Sequence, residues 1–287
     1  MTPLVLGCLA VLLAGPVPSL MSRWPALRRT PVAAMLLWQS VAMAAVLSAI
    51  GAGLSLTTAK AWRNNGTILE YAVATIALGL TLLVVGRLLL SGHRVGTNLR
   101  ALRRRHRAQL DLLARTERGA RVVEHDVPVA YCLPGVAGSR VVVSAGALER
   151  LRSDEVDAVL AHERAHLKAR HDLVLEGFSV LHRAFPHWVS SEAALIEVQL
   201  LAEVLADRAA VRRTGRLPLA RALVALAEGR APLAAMGAAG PALADRVRLL
   251  GDVEPHRGQS ALVVLLALGV LAVPTTFVVV PWLQSLT

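Results

Sequence analysis

A helical membrane protein that carries one compact α+β domain is the fold class this sequence predicts. Of 287 residues, 55% are hydrophobic and 18% charged, which is too apolar for a soluble domain of that length and too charged for a chain wholly buried in lipid. The windows 1–22, 30–59 and 258–287 hold no charged residue, and a fourth, 72–90, holds only Arg87. Each is about the twenty residues that cross a hydrocarbon core of roughly 30 Å, and Arg87 lies near the end of its window, where a long side chain can snorkel. The uninterrupted stretch 92–257 is long enough for one globular domain with its own core. These observations exclude a secreted protein, a fibrous one and a multidomain soluble enzyme.

The first window has no basic segment before it and no clear small-residue cleavage site, so it is expected to stay in the membrane as a helix. Residues 1–91 then form three transmembrane helices with short loops, 92–120 a basic juxtamembrane segment, 121–257 the globular domain, and 258–287 a fourth transmembrane helix. Within the globular part, 122–123, 127–133 and 141–143 read as strands around a Pro134-Gly135 turn. Pro128 makes the second of these an edge strand or delays its start. Ser144 is placed to cap a short helix over 145–151, and Ser153, followed by Asp154 and Glu155, opens a helix to about Arg170. A mixed segment, 173–189, is broken by Pro186. Ser191 can cap a long helix over 192–213 that ends at Gly215, and helices over 217–228 and 242–250 follow. Cys8 and Cys132 are too few and too far apart for a disulfide framework or a cysteine zinc site, and read as small apolar residues.

Charge sets the expected orientation. The net charge is +11, and nine arginines fall between 93 and 121 against Asp111 and Glu117. Basic residues just beyond a membrane helix mark its cytoplasmic side, which explains the run without direct nucleic-acid binding. The loop after the first span holds Arg23, Arg28 and Arg29, whereas the next holds Lys60 and Arg63 against Glu70. The chain is therefore expected in the cell membrane as a multi-pass protein with its globular domain in the cytoplasm.

The string carrying chemistry is His162-Glu163-Arg164-Ala165-His166. Two histidines four apart project from one helix face about a turn apart, so both imidazoles reach one zinc ion, and the glutamate between them sits where it can take a proton from water. A catalytic zinc site usually takes a third protein ligand. The extended pattern HExxHxxGxxH fails, because Ala169 and Asp172 occupy its last two fixed positions and His171 is one residue out of register. Glu203 is the best alternative, with Glu197 and Glu192 as competitors. Asp207, one turn after Glu203, can orient a ligating imidazole. For the oxyanion, His182, His187 and Arg208 are candidates. The aromatic residues of 173–189, Phe178, Phe185 and Trp188, either fill the domain core or rest on the membrane surface.

These two motifs, between a third and a fourth span, resemble the BlaR/MecR-type membrane zinc metallopeptidases, a group related to the HtpX-like and CAAX-prenyl-protease-like membrane proteases. The specific residues lie within about 120–210. The resemblance implies a zincin-like (gluzincin) α+β metallopeptidase domain with a small sheet and an HExxH helix. It implies one Zn²⁺ per chain held by His162, His166 and Glu203, Glu163 as catalytic base and Asp207 behind the ligands. The implied substrate is a protein, a transcriptional repressor in a signalling pathway, and the implied setting is the lipid bilayer. This chain stops at Thr287, directly after the fourth span, where antibiotic-sensing members continue into a penicillin-binding sensor domain, so the resemblance carries the peptidase and not β-lactam sensing. The readings to weigh against it are an HtpX-like quality-control protease for membrane proteins and a non-catalytic membrane sensor or scaffold.

Overall fold

The computed structural model describes residues 2–58, 67–135, 138–185, 192–252 apart from 231–235, and 256–284, with the backbone alone for 58, 228–230, 236–241 and 281–284. Two compact units divide the chain. Met1–Val95, Gly177–Val198 and His256–Thr287 form the first, and Gly96–Glu176 with Gln199–Pro255 form the second.

The first unit is built from apolar helices: α1 (Thr2–Ala14), α2 (Pro16–Met21), a 3-10 turn (Pro25–Arg29), α3 (Pro31–Thr58), the first part of α4 (Ile68–Leu113) and α11 (Arg257–Gln284). Four stretches, Thr2–Met21, Pro31–Thr57, Ile68–Leu113 and Arg257–Val280, are long and apolar enough to cross a membrane, as the sequence leads one to expect. The first is not one continuous helix, because Pro16 at the start of α2 cannot continue the backbone hydrogen bonding of α1. α3 packs along α1 and α11. It also approaches α4 closely at Gly53, where a Cβ would lie 1.8 Å from Thr81 Oγ1. Trp38 is 2% exposed, so it packs between helices instead of anchoring at an interface.

In the second unit α4 runs on as a helix to Leu113, so most of the basic juxtamembrane run is helical. A four-stranded mixed sheet follows in the order β1-β2-β4-β3, from β1 (Arg115–Glu117), β2 (Ala120–Val123), β3 (Ala130–Leu133) and β4 (Arg140–Ser144). β2 and β4 are parallel, and the other two pairings antiparallel. β1 is absent from the sequence reading because its three residues are all exposed and polar. β3 is an edge strand and also starts late, at Ala130, so Pro128 has both of the effects expected of it.

Helices cover both faces of the sheet. On one face, Val156, Val159 and Leu160 of α6 (Ser153–Ala169) pack with Ala130, Val141 and Val143. On the other, Leu110 of α4 packs with Leu133 and Val142. Ser144 caps α5 (Ala145–Arg150) by accepting from the Ala147 N–H at 3.1 Å. The start of α6 differs by one residue from the expectation. Arg152 is its N-cap, and the Arg152 N–H donates to Glu155 at 3.0 Å, so Ser153 is already the first helical residue. Arg170, at φ 52°, closes α6. There follow α7 (His171–Ala184), α8 (Glu192–Thr214), α9 (Arg216–Arg230) and α10 (Met236–Gly251). Gly215, at φ 86°, separates α8 from α9 in the left-handed region that glycine takes without strain. The expected Ser191 cap lies outside the described residues.

Candidate metal centre

The site lies wholly in the second unit, on α6, α8 and α10. The buried face of α6 carries His162, and one turn on is His166. α8 contributes Glu203 and, one turn later, Asp207. The Nε2 atoms of His162 and His166 are 3.1 Å apart. Glu203 Oε2 is 3.4 Å from His162 Nε2, and its Oε1 is 3.4 Å from His166 Nε2. A tetrahedral zinc site with bonds of about 2.0–2.1 Å has ligand-to-ligand edges of about 3.3 Å. Spacing and donor chemistry therefore both fit Zn²⁺, and these three residues form a metal-competent group. The Glu203 side chain is 38% exposed, which leaves the site open to solvent on one side.

Behind the donors, Asp207 is fully enclosed at 2% exposure. Its Oδ1 lies 2.9 Å from His162 Nδ1, the contact that turns Nε2 of that ring toward the other donors. Arg246 of α10 grips Asp207 with two hydrogen bonds, Nε to Oδ2 at 2.8 Å and Nη2 to Oδ1 at 2.7 Å. Its Nη1 lies 2.9 Å from Glu203 Oε2. One guanidinium thus holds the carboxylates of Glu203 and Asp207 in a fork that lysine could not reproduce. The buried His171, first residue of α7, brings its Nδ1 to 3.0 Å from His166 Nδ1. Each imidazole donor accordingly has a polar partner on its far nitrogen.

The protonation states follow from these contacts. Burial disfavours a charged His162, but Asp207 and Glu203 outweigh it and lift its pKa to about 9. Burial lowers His166 to about 4 against the opposing pull of Glu203. Burial also opposes ionisation of Glu203 and Asp207. His162 and Arg246 prevail and hold Glu203 down to about 2, while Arg246 and His162 keep Asp207 below the usual carboxylate range.

Glu163 follows His162 on α6, beside Cys132 of the edge strand. Burial and the neighbouring Glu163 carboxylate push the Cys132 thiol up to about 12, so it stays protonated and is no nucleophile.

The sequence reading misses two residues of this constellation, Arg246 and the contact made by His171. His171 lies beyond the left-handed turn at Arg170, where helical periodicity no longer says which way a side chain faces. Arg246 had no motif to mark it. Glu197, a competitor for the third ligand, is instead held by Arg28 through two side-chain hydrogen bonds in the first unit. Among the oxyanion candidates, His182 lines an apolar cavity of the first unit, Arg208 faces Asp252 and Arg212, and His187 lies outside the described residues.

Two imidazoles and a carboxylate on paired helices are the donor set of a zinc peptidase, and here they belong to a chain with four span-length helices. The class is a multi-pass membrane zinc metalloendopeptidase, which sets aside the non-catalytic sensor. Residues 98–184 match the family model of Peptidase family M48. That stretch takes in the sheet, α5, α6 with both histidines, and α7, and it ends before Glu203 on α8. No curated protein and no solved structure matches the chain.

Proposed function

We propose that this M48 zinc endopeptidase hydrolyses membrane-proximal protein segments on the cytoplasmic side of the cell membrane. The observation that carries the reading is the convergence of His162, His166 and Glu203 at tetrahedral spacing, with Asp207 and Arg246 bracing them from behind. In this reading His162, His166 and Glu203 bind one zinc ion, Glu163 is the catalytic base, and Asp207 orients His162. Bound zinc supplies a Lewis acid that polarises the scissile carbonyl and makes water more acidic. Glu163 takes the proton from the attacking water and returns it to the leaving amine.

β3 is an edge strand whose one partner among the described residues is β4, and its Cys132 lies next to Glu163. A substrate backbone added as a further strand along β3 would bring its peptide bonds to the base. The cytoplasmic orientation rests on the arginine asymmetry of the loops. Reporter fusions after Arg121 and after Thr287 should report opposite sides of the membrane.

Within this reading the substrate is a transcriptional repressor, supported by the resemblance of the two motifs and their layout to the BlaR/MecR-type peptidases. The alternative is HtpX-like quality control of membrane proteins. Comparing the proteomes of cells that carry the wild type and Glu163→Gln separates them. Accumulation of one intact DNA-binding protein, with a matching change in its target genes, supports the repressor. Accumulation of many membrane proteins supports quality control, and identical proteomes contradict both.

A further inference from the structure

The first unit holds a half-open apolar cavity of about 320 Å³. One wall is α3, which contributes Trp38, Ala42, Ala45 and Ala49; the facing walls come from α1, α4, α7 and the start of α8. Phe178 and Phe185 line it from the facing side. These two aromatic residues therefore fill neither the α+β core nor the membrane surface but line a hollow among the spanning helices, and Trp188 lies outside the described residues. Among the described residues, His182 is the one ionisable side chain in the lining.

We infer that this cavity binds one acyl chain of a bilayer phospholipid. An apolar hollow of about 150 Å³ stays dry and takes a benzene-sized guest, so one twice as large takes roughly a dozen carbon atoms. A turn of apolar helix has about 3.6 residues and several times that many heavy atoms, which makes the cavity too small for a substrate helix. Its shape also fits a chain. From Trp38 to Ala49 along α3 is about 16 Å at 1.5 Å per residue, or about half of a hydrocarbon core of roughly 30 Å, the depth of one leaflet.

Charge marks one end. Two residues beyond the lining Leu195, Glu197 pairs with Arg28. The α8 side of the cavity is thereby tied to the segment 23–29, which with Arg23 and Arg29 as well as Arg28 stays net positive after that pairing and is complementary to a lipid phosphate. Water gains little from such apolar walls, whereas an empty hollow loses the dispersion contacts that a hydrocarbon chain restores. The small side chains Ala42, Ala45 and Ala49 recur on one face of α3 and keep the space open.

Trp38 lines the cavity and packs between helices, so it provides the readout. The full-length protein, with Trp24, Trp62, Trp188 and Trp282 changed to phenylalanine, is reconstituted in phosphatidylcholine vesicles with or without bromine on the acyl chain. Brominated vesicles should quench Trp38, and Ala45→Leu, which narrows the cavity on the same face of α3 as Trp38, should reduce the quenching. Equal emission in the two vesicles overturns the inference, as does quenching that Ala45→Leu leaves undiminished. An emission change seen only when a hydrophobic peptide is added assigns the cavity to substrate and also overturns it. Should the single-tryptophan protein not fold, native mass spectrometry of the otherwise unaltered chain decides. A phospholipid retained by wild type and lost from Ala45→Leu supports the acyl chain, and equal retention contradicts it. Neither readout depends on peptidase activity.

Discussion

Two of the glutamates on helix α8, Glu197 and Glu203, fall in different units, and the contrast between them separates a structural charge from a functional one. Glu197, in the membrane unit, is 8% exposed and paired with the fork of Arg28. Glu203, in the other unit, also meets an arginine, but only through one Nη, and its two oxygens lie 3.4 Å from two separate imidazoles. A carboxylate enclosed by a guanidinium is neutralised and has no need of a metal. One that shares its arginine with Asp207 and faces two histidine nitrogens is left to hold a cation.

The largest effect tests the chemistry built beside Glu203. Glu163→Gln keeps the size of the side chain and removes the base, so proteolysis should fall by about 10²–10⁴ while zinc stays bound. Undiminished hydrolysis by purified protein in detergent would remove Glu163 from the mechanism.

On the other side of the comparison, Glu197→Gln strands the half-buried Arg28 guanidinium. Breaking a buried pair in this way costs about 3–5 kcal/mol, to be read as a lower midpoint in denaturant, with zinc content unchanged. A variant as stable as wild type would show that the pair is too well solvated to matter.

Next comes His171, whose only argued role is to hold His166. His171→Leu should weaken zinc binding by about 10–100-fold, the usual cost of losing a partner to a ligating histidine. His171→Gln, which can still offer a polar atom at that position, should recover part of the loss. Equal affinities in the three proteins would make the 3.0 Å contact incidental.

These residues also show how far the sequence could be read. His162, His166, Glu203 and Asp207 are legible because each pair is four apart within one helix, so a single periodicity sets both members on one face. The sequence ranks Glu203 ahead of Glu197 by its spacing to Asp207, but the reason Glu197 drops out, its pairing with Arg28, is visible only in three dimensions because Arg28 lies far from α8 in the chain. Helical spans and the edge position of β3 are readable from runs of apolar residues and from Pro128. β1 has no apolar residue to reveal it, and the break at Pro16 is hidden inside an uninterrupted apolar window. Likewise, nothing in the composition of 173–189 tells that Phe178 and Phe185 join the membrane helices, because an apolar helix face looks the same whether it meets a domain core or a lipid-exposed bundle.

Zinc content of the purified chain, measured together in wild type, Glu203→Gln and Glu197→Gln, tests the central claim most directly. One zinc ion per chain in wild type and in Glu197→Gln, with loss of the metal from Glu203→Gln, is the result that the geometry of the two carboxylates predicts. Full zinc occupancy in Glu203→Gln, or its loss from a folded Glu197→Gln protein, would contradict the assignment of the third ligand.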